Sequence, residues 1–319
     1  MSIIEKAIEK LERQAQTAGA PAPAAATPAS APATRGASGT AVGSPRRDAD
    51  VIQVPIGRLN AIGAVTPDRP RSRIAEEYRM IKRPLIANIE GSGAAVVPNA
   101  NLIMVTSALS GEGKTFTAIN LAMSISMEED RTVLLVDGDM AKANAGALLG
   151  VPEDARGLID VLEHDDVSIE DVLLHTSIPN LRVIPAGQLH ERATELLASE
   201  SMRRLAQELS ERYPDRVIIF DSPPLLLTSE ASVLASLMGQ IVFVVAAEQT
   251  PPHAVTEAVE HISDDKVVGM VLNRTRRNPL DRFGIGYGYG YGYGYGYGYG
   301  DAQQGEDGKR SRRRSADAD

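Results

Sequence analysis

Met104–Met123 reads MVTSALSGEGKTFTAINLAM. An apolar run that ends at Ser107 predicts a strand. A loop with Gly111 and Gly113 follows, and the stretch opening at Lys114 predicts a helix. The spacing Ala108-x-x-x-x-Gly113-Lys114-Thr115 differs by one residue from G-x-x-x-x-G-K-[ST], the signature of a phosphate-cradling loop. The residue types suit the task. Glycines let backbone N–H groups wrap a phosphate without a Cβ in the way, and the helix N-terminus adds the positive end of its dipole. Lys114 reaches the β- and γ-phosphates, and the Thr115 hydroxyl ligates Mg²⁺. The expected nucleotide-binding stretch is Ser110, Gly111, Glu112, Gly113, Lys114, Thr115 and Phe116. Ala108 stands where the pattern has its first glycine, which fits a residue with negative φ.

Outward from this loop, apolar runs alternate with helical patterns. Strand-like runs are 101–107, 131–137, 181–187, 216–222, 240–246 and 266–273. Their near-continuous Val, Ile and Leu content predicts strands buried on both faces. Strands alternating with helices predict an α/β, doubly wound, mainly parallel sheet of the P-loop NTPase kind. Such a sheet places its chemistry at the carboxyl ends of its strands. Two carboxylates stand at such ends, Asp137 in VLLVDGDMAK and Asp221 in VIIFDSPPLL. Asp139 follows Asp137 by two residues and Lys142 by five. Thr115, Asp137 and Asp221 are the expected metal-binding set, and Lys114, Asp137, Asp139 and Asp221 the catalytic one.

Composition sets bounds. The 319 residues carry a formal net charge of −9, which argues against general nucleic-acid binding. There is no cysteine, which excludes disulfides and thiolate metal sites. No apolar run approaches the ~18–20 residues that span a bilayer, and the charged N-terminus is no signal peptide. A cytoplasmic location is expected. The five histidines are scattered and form no H-E-x-x-H. No guanine-reading N-K-x-D occurs, which favours ATP over GTP, and no H-R-D loop suggests a eukaryotic-type kinase.

The chain divides into four parts. Residues 1–15 carry Ile3, Ile4, Ala7, Ile8 and Leu11 at helical spacing, an amphipathic docking helix. Residues 16–53 are an Ala/Pro-rich linker. Residues 54–278 hold the folded block, with Ile74, Tyr78, Ile81 and Leu85 forming one face of a helix at about 72–90; Pro84 is expected to bend or end it. Residues 279–319 are a flexible tail with a basic cluster at Lys309–Ser315. In that tail Tyr287, Tyr289, Tyr291, Tyr293, Tyr295, Tyr297 and Tyr299 alternate with glycine, whereas only Tyr78 and Tyr213 occur elsewhere.

The loop, DGDMAK and VIIFDS resemble the Walker A, A′ and B motifs of the bacterial tyrosine kinases, a branch of the MinD/ParA-like P-loop ATPases. Leu196–Glu200 (LLASE) and Val268–Asn273 are similar to further segments of that family. IIEKAIEKL, IKRPL and DGDMAK look most like its exosortase-associated autokinases. The resemblance implies ATP and Mg²⁺ as cofactors, with Asn273 meeting the adenine base. Glu76, Arg79 and Lys82 are similar to the family's E-x-x-R-x-x-R oligomerisation motif, which implies a homo-oligomer, a ring of copies. It further implies a separate membrane activator of the polysaccharide co-polymerase type, a tyrosine phosphatase, and recruitment to the inner face of the membrane. Three departures stand out: Ala141 where the A′ motif has Arg, Phe116 after the metal-binding Thr, and Lys82 for the last Arg.

With such a domain beside it, the tyrosine cluster is the expected substrate and Asp137 the expected base. The function expected is an ATP-dependent protein-tyrosine autokinase, transferring phosphate between subunits and regulating exopolysaccharide synthesis or export. Twelve residues from Thr275 to Tyr287 reach at most about 40 Å when extended, enough to approach a neighbour. The alternatives are a MinD/ParA-like switch ATPase without protein phosphorylation and a scaffold that uses nucleotide only to assemble.

Overall fold

The computed structural model describes residues 51–276, apart from 94–95, 189, 191 and 213–215. The expected docking helix, the tyrosine cluster and the basic cluster lie outside the described residues.

The block opens with β1 (Val51–Ile52), α1 (Ile56–Ala61) and α2 (Arg73–Ile89). The phosphate-loop unit follows, β2 (Leu102–Ser107) and α3 (Lys114–Ser126), then β3 (Thr132–Asp137) and α4 (Asn144–Leu149). Next come α5 (Leu158–Glu163), α6 (Ile169–Val172), β4 (Leu174–Thr176), β5 (Leu181–Ile184), α7 (Ala193–Leu197) and α8 (Glu200–Arg212). The last elements are β6 (Arg216–Asp221), α9 (Ser229–Leu237), β7 (Gln240–Ala246), α10 (Pro252–Glu260) and β8 (Val267–Asn273).

The strands form one sheet in the order β1-β4-β5-β3-β6-β2-β7-β8. Every pair is parallel except β4 with β5. Two apolar layers flank the sheet. Met104, Leu134, Ile218 and Phe243 belong to one, and Ile103, Val133, Ile219 and Val242 to the other. Successive side chains of a strand point to opposite faces, so each central strand feeds both layers. All six residues of β2 are buried. The strand that launches the phosphate loop therefore sits inside the sheet, between β6 and β7.

Several expectations need correction. β1 lies inside the stretch 16–53 assigned to the linker; its two residues pair with β4 and are too few to show a period. The run 181–187 ends as a strand at Ile184. Beyond it the Pro185 and Ala186 carbonyls accept from the N–H groups of Leu158 and Ile159 at 2.8 and 3.0 Å, so that backbone caps α5 instead of extending the sheet. β8 is not buried on both faces: among the described residues it pairs only with β7 and leaves Met270 and Leu272 exposed. Helix α2 runs through Pro84 to Ile89. Pro84 frees the carbonyl of Met80, and both residues lie on the exposed face, where water can satisfy it. Tyr78 and Leu85 of the predicted face are buried.

Candidate active site

Gly111 and Gly113 have φ of +84° and +99°, the left-handed region that glycine enters without steric cost. At Gly113 a Cβ would also come within 2.0 Å of the Asn273 amide nitrogen and push that side chain aside. Ala108 has no positive φ and is fully buried, so alanine serves in place of the first glycine.

The loop is braced from behind. Glu112 is buried, and its carboxylate accepts from the Leu109 N–H at 2.5 Å and from the Thr250 hydroxyl. Asn273, at the end of β8, donates from its amide to the Glu112 carbonyl at 2.9 Å. The Glu112 carboxylate is thus turned into the wall of the loop; what it can offer a phosphate is its backbone N–H. Thr250 is a brace that motif reading misses, since it lies 138 residues from Glu112. Phe116 packs against an apolar layer and does not line the phosphate pocket.

That pocket, about 180 Å³, is lined by Ser110, Gly111, Gly113, Lys114 and Thr115 from the loop and helix. Asp139, Lys142, Asn144 and Arg274 complete it. The Lys114 ammonium lies 3.9 Å from the Asp139 carboxylate, both side chains being buried. Lys142 donates to the Ser110 hydroxyl at 2.5 Å. The residue beside the motif's alanine therefore brings a cation to the phosphate loop. Arg274 is a second cation that sequence reading missed. It directly follows Asn273 and has a positive φ of 58°, an uncommon conformation outside glycine.

Asp137 and Asp221 face each other as Cα partners on the adjacent parallel strands β3 and β6. The intervening contact demands Gly138: its N–H donates to the Asp221 carbonyl at 2.8 Å, and a Cβ there would approach that oxygen to 2.9 Å. One Asp137 oxygen, Oδ2, accepts from the N–H groups of Ala145 and Gly146 at 3.0 and 3.2 Å. Its Oδ1, and both side-chain oxygens of Asp221, are buried without a hydrogen-bond partner. Burial pushes Asp137 up to about 6, with the Asp139 charge adding to the rise. Burial, and then the neighbouring Asp137 charge, push Asp221 well above the usual carboxylate range; the Thr115 hydroxyl and Lys114 offset part of that.

Orphaned buried carboxylate oxygens beside a threonine hydroxyl fit a divalent cation. No cluster of three or more His, Cys, Asp or Glu side chains suited to a metal occurs among the described residues. A Mg²⁺ that keeps waters and shares phosphate oxygens needs only one or two protein carboxylates, so the donor set present is sufficient.

The expected oligomerisation residues sit on α2. Glu76 and Arg79 pair with each other, and Arg79 donates to the Pro70 carbonyl at 3.1 Å. Lys82 departs from the expectation. Its ammonium pairs with Glu128 at 2.8 Å and donates to the Ser124 carbonyl at 2.6 Å, and its side chain is 7% exposed. It clamps α2 to the end of α3 within one protomer, because a buried ammonium must be paired.

Comparison with known proteins agrees with this geometry. A family described as an AAA domain matches residues 100–264. The tyrosine-protein kinase YwqD of Bacillus subtilis (strain 168) is 30% identical over 217 residues, covering 67% of this chain and 87% of that protein. The chain belongs to the bacterial tyrosine kinases. The kinase domain of the Escherichia coli tyrosine kinase ETK superposes with a TM-score of 0.57 at 26% identity, over 72% of this chain and 86% of that one. The succinoglycan biosynthesis transport protein ExoP of Rhizobium meliloti (strain 1021) is 31% identical across 76% of this chain, a match that spans only 30% of ExoP. No described helix of the present chain is long and apolar enough to cross a membrane.

Proposed function

We propose that this tyrosine kinase is an autokinase that moves the γ-phosphoryl group of ATP onto the C-terminal tyrosines, Tyr287 to Tyr299, of a neighbouring copy. The observation that carries the reading is the meeting of the phosphate loop with two buried, under-coordinated carboxylates. Lys114 and the loop N–H groups would hold the β- and γ-phosphates, and Asn273, whose amide nitrogen braces the loop, would meet the adenine base. Thr115, Asp137 and Asp221 would hold Mg²⁺, which when bound would neutralise charge on the phosphates. Oδ1 of Asp137 takes the proton of the attacking phenol, whose own pKa near 10 leaves it protonated at neutral pH. Asp139 keeps the Lys114 ammonium aligned, and Lys142 adds a second positive charge at the loop.

A relative named as a succinoglycan biosynthesis transport protein supports a role in regulating synthesis or export of an exopolysaccharide. The reading includes a ring of copies docked through Glu76 and Arg79, a separate membrane activator that recruits the protein to the inner face of the membrane, and a phosphatase that resets the tail. Each phosphorylated tail gains roughly −10 to −14 charges, enough to repel neighbouring tails.

The test is phosphotyrosine mapping by mass spectrometry after incubation of wild type and an all-Phe variant of the seven tail tyrosines with Mg·ATP. Labelling confined to the wild-type tail is the expected result. Equal labelling of both proteins removes the tail from the reaction. Free phosphate as the sole product supports the switch-ATPase alternative.

A further inference from the structure

Arg274 lines the phosphate pocket and has no task in the mechanism above. We propose that it is a phosphate-binding residue, a third cation that holds the polyphosphate tail of the nucleotide from the C-terminal end of β8. The proposal rests on the nucleotide-dependent kinase reading above and adds a ligand to its donor site.

The direction of the side chain points to this role. Successive residues of a strand face opposite sides. Asn273, the last residue of β8, faces the loop, where its amide donates to the Glu112 carbonyl. A strand continued regularly would turn residue 274 away. Arg274 instead has φ of +58°, and its side chain lines the same pocket as Gly113 and Lys114. Glycine enters that conformation freely, whereas a residue with a Cβ resists it. The turn alone therefore asks for glycine, and a task for the guanidinium explains arginine.

Backbone strain gathers at the same place. Among the described residues the non-glycines with positive φ are Asn99, Ala143, Glu248 and Arg274. Three of them border this pocket. Ala143 separates Lys142 from Asn144, both of which line it. Glu248 precedes Gln249, whose Oε1 accepts from Arg274 Nη1 at 3.0 Å. Such conformations concentrate where ligands are held.

Charge completes the case. Lys114 has the Asp139 carboxylate at 3.9 Å. Among the described residues Lys142 and Arg274 have neutral partners instead, the Ser110 hydroxyl and the Gln249 amide. Two of the three pocket cations thus lack a counter-charge, which a polyphosphate supplies through charge-assisted hydrogen bonds. The guanidinium has five N–H donors. Gln249 takes one and aims the fork, and the others remain for phosphate oxygens. A purely structural tie between the turn after β7 and the end of β8 is already made by backbone, since the Ala247 N–H donates to the Asn273 carbonyl at 2.8 Å.

The test is displacement of a fluorescent ADP from the full-length protein by four ligands. They are a non-hydrolysable Mg·ATP analogue, Mg·ADP, Mg·tripolyphosphate and adenosine. Arg274 is exposed, so Arg274→Gln and Arg274→Lys are compatible with folding, which thermal melting verifies. Arg274→Gln should weaken the three phosphate ligands roughly fivefold to tenfold at low salt, with adenosine changed less than about twofold. The loss should shrink as KCl rises from about 50 to about 500 mM, because an exposed charge is screened. Arg274→Lys, which keeps the charge without the fork, should fall between wild type and Arg274→Gln. Unchanged affinity for all four ligands in Arg274→Gln overturns the proposal and leaves the kinase reading intact. So does a loss that includes adenosine and persists at high salt, the signature of a merely structural tie. Wild-type protein that binds none of the phosphate ligands overturns both.

Discussion

The two walls of the active site are built on opposite principles. On the phosphate-loop side polar groups are partnered: Glu112 with Leu109 and Thr250, Asn273 with the loop backbone, Lys142 with Ser110. On the carboxylate side Asp137 Oδ1 and both Asp221 oxygens are buried with no hydrogen-bond partner. A buried charge without a partner is costly. The loop is thus a finished receptor for phosphate, whereas the carboxylate pair is held by the sheet in an arrangement that only a bound cation or proton relieves. Ground-state stability is sacrificed on one wall and secured on the other.

The largest effect expected from breaking this contrast is on chemistry. Lys114→Met removes the cation from the finished wall and should lower phosphorylation by roughly 10³-fold, measured as initial phosphotyrosine formation with saturating Mg·ATP. A loss below tenfold places the phosphate elsewhere.

The second effect is on stability and has the opposite sign from activity. Asp137→Asn keeps an oxygen to accept from Ala145 and Gly146 and removes the buried charge. It should abolish most transfer yet raise the melting temperature of nucleotide-free protein at pH 7.5 by several degrees, about 2 kcal/mol. The pH dependence sharpens this. The Asp137 folded value is about 6 against an ordinary 3.8, so between those values the native state holds the proton more tightly. Its contribution to stability is fully present below 3.8 and is lost as pH rises through 6. The advantage of Asp137→Asn over wild type should therefore shrink as the pH falls from 7.5 to 4.5. A constant or widening gap contradicts the burial argument.

The smallest effect is on the loop's brace. Asn273→Ala deletes one hydrogen bond, worth about 1 kcal/mol, and should raise the KM for ATP roughly fivefold with little change in kcat. Isothermal titration with a non-hydrolysable ATP analogue checks it independently of turnover.

Much of this site was legible because its parts are local. A strand end, two glycines and a Lys-Thr pair fall within a dozen residues, and the carboxylates announce themselves by ending apolar runs. Their pairing follows once β3 and β6 are neighbours. What escaped reading is long-range. Nothing near Glu112 in sequence points to Thr250, and nothing near Lys82 points to Glu128, so neither the Glu112 carboxylate's brace nor the Lys82 clamp could be read from the sequence. The short strands β1 and β4 escaped because two or three residues carry no period. The exposure of β8 escaped because its sequence resembles that of a central strand, and only the sheet order makes it an edge.

The Asn273 brace also links two distant parts of the chain. Asn273 closes β8, and the chain runs on from it towards Tyr287, so the point where the C-terminal segment leaves the sheet is tied to the phosphate loop. A shift of that loop on nucleotide exchange would be felt at Asn273, the last residue of the sheet, through this one side-chain amide.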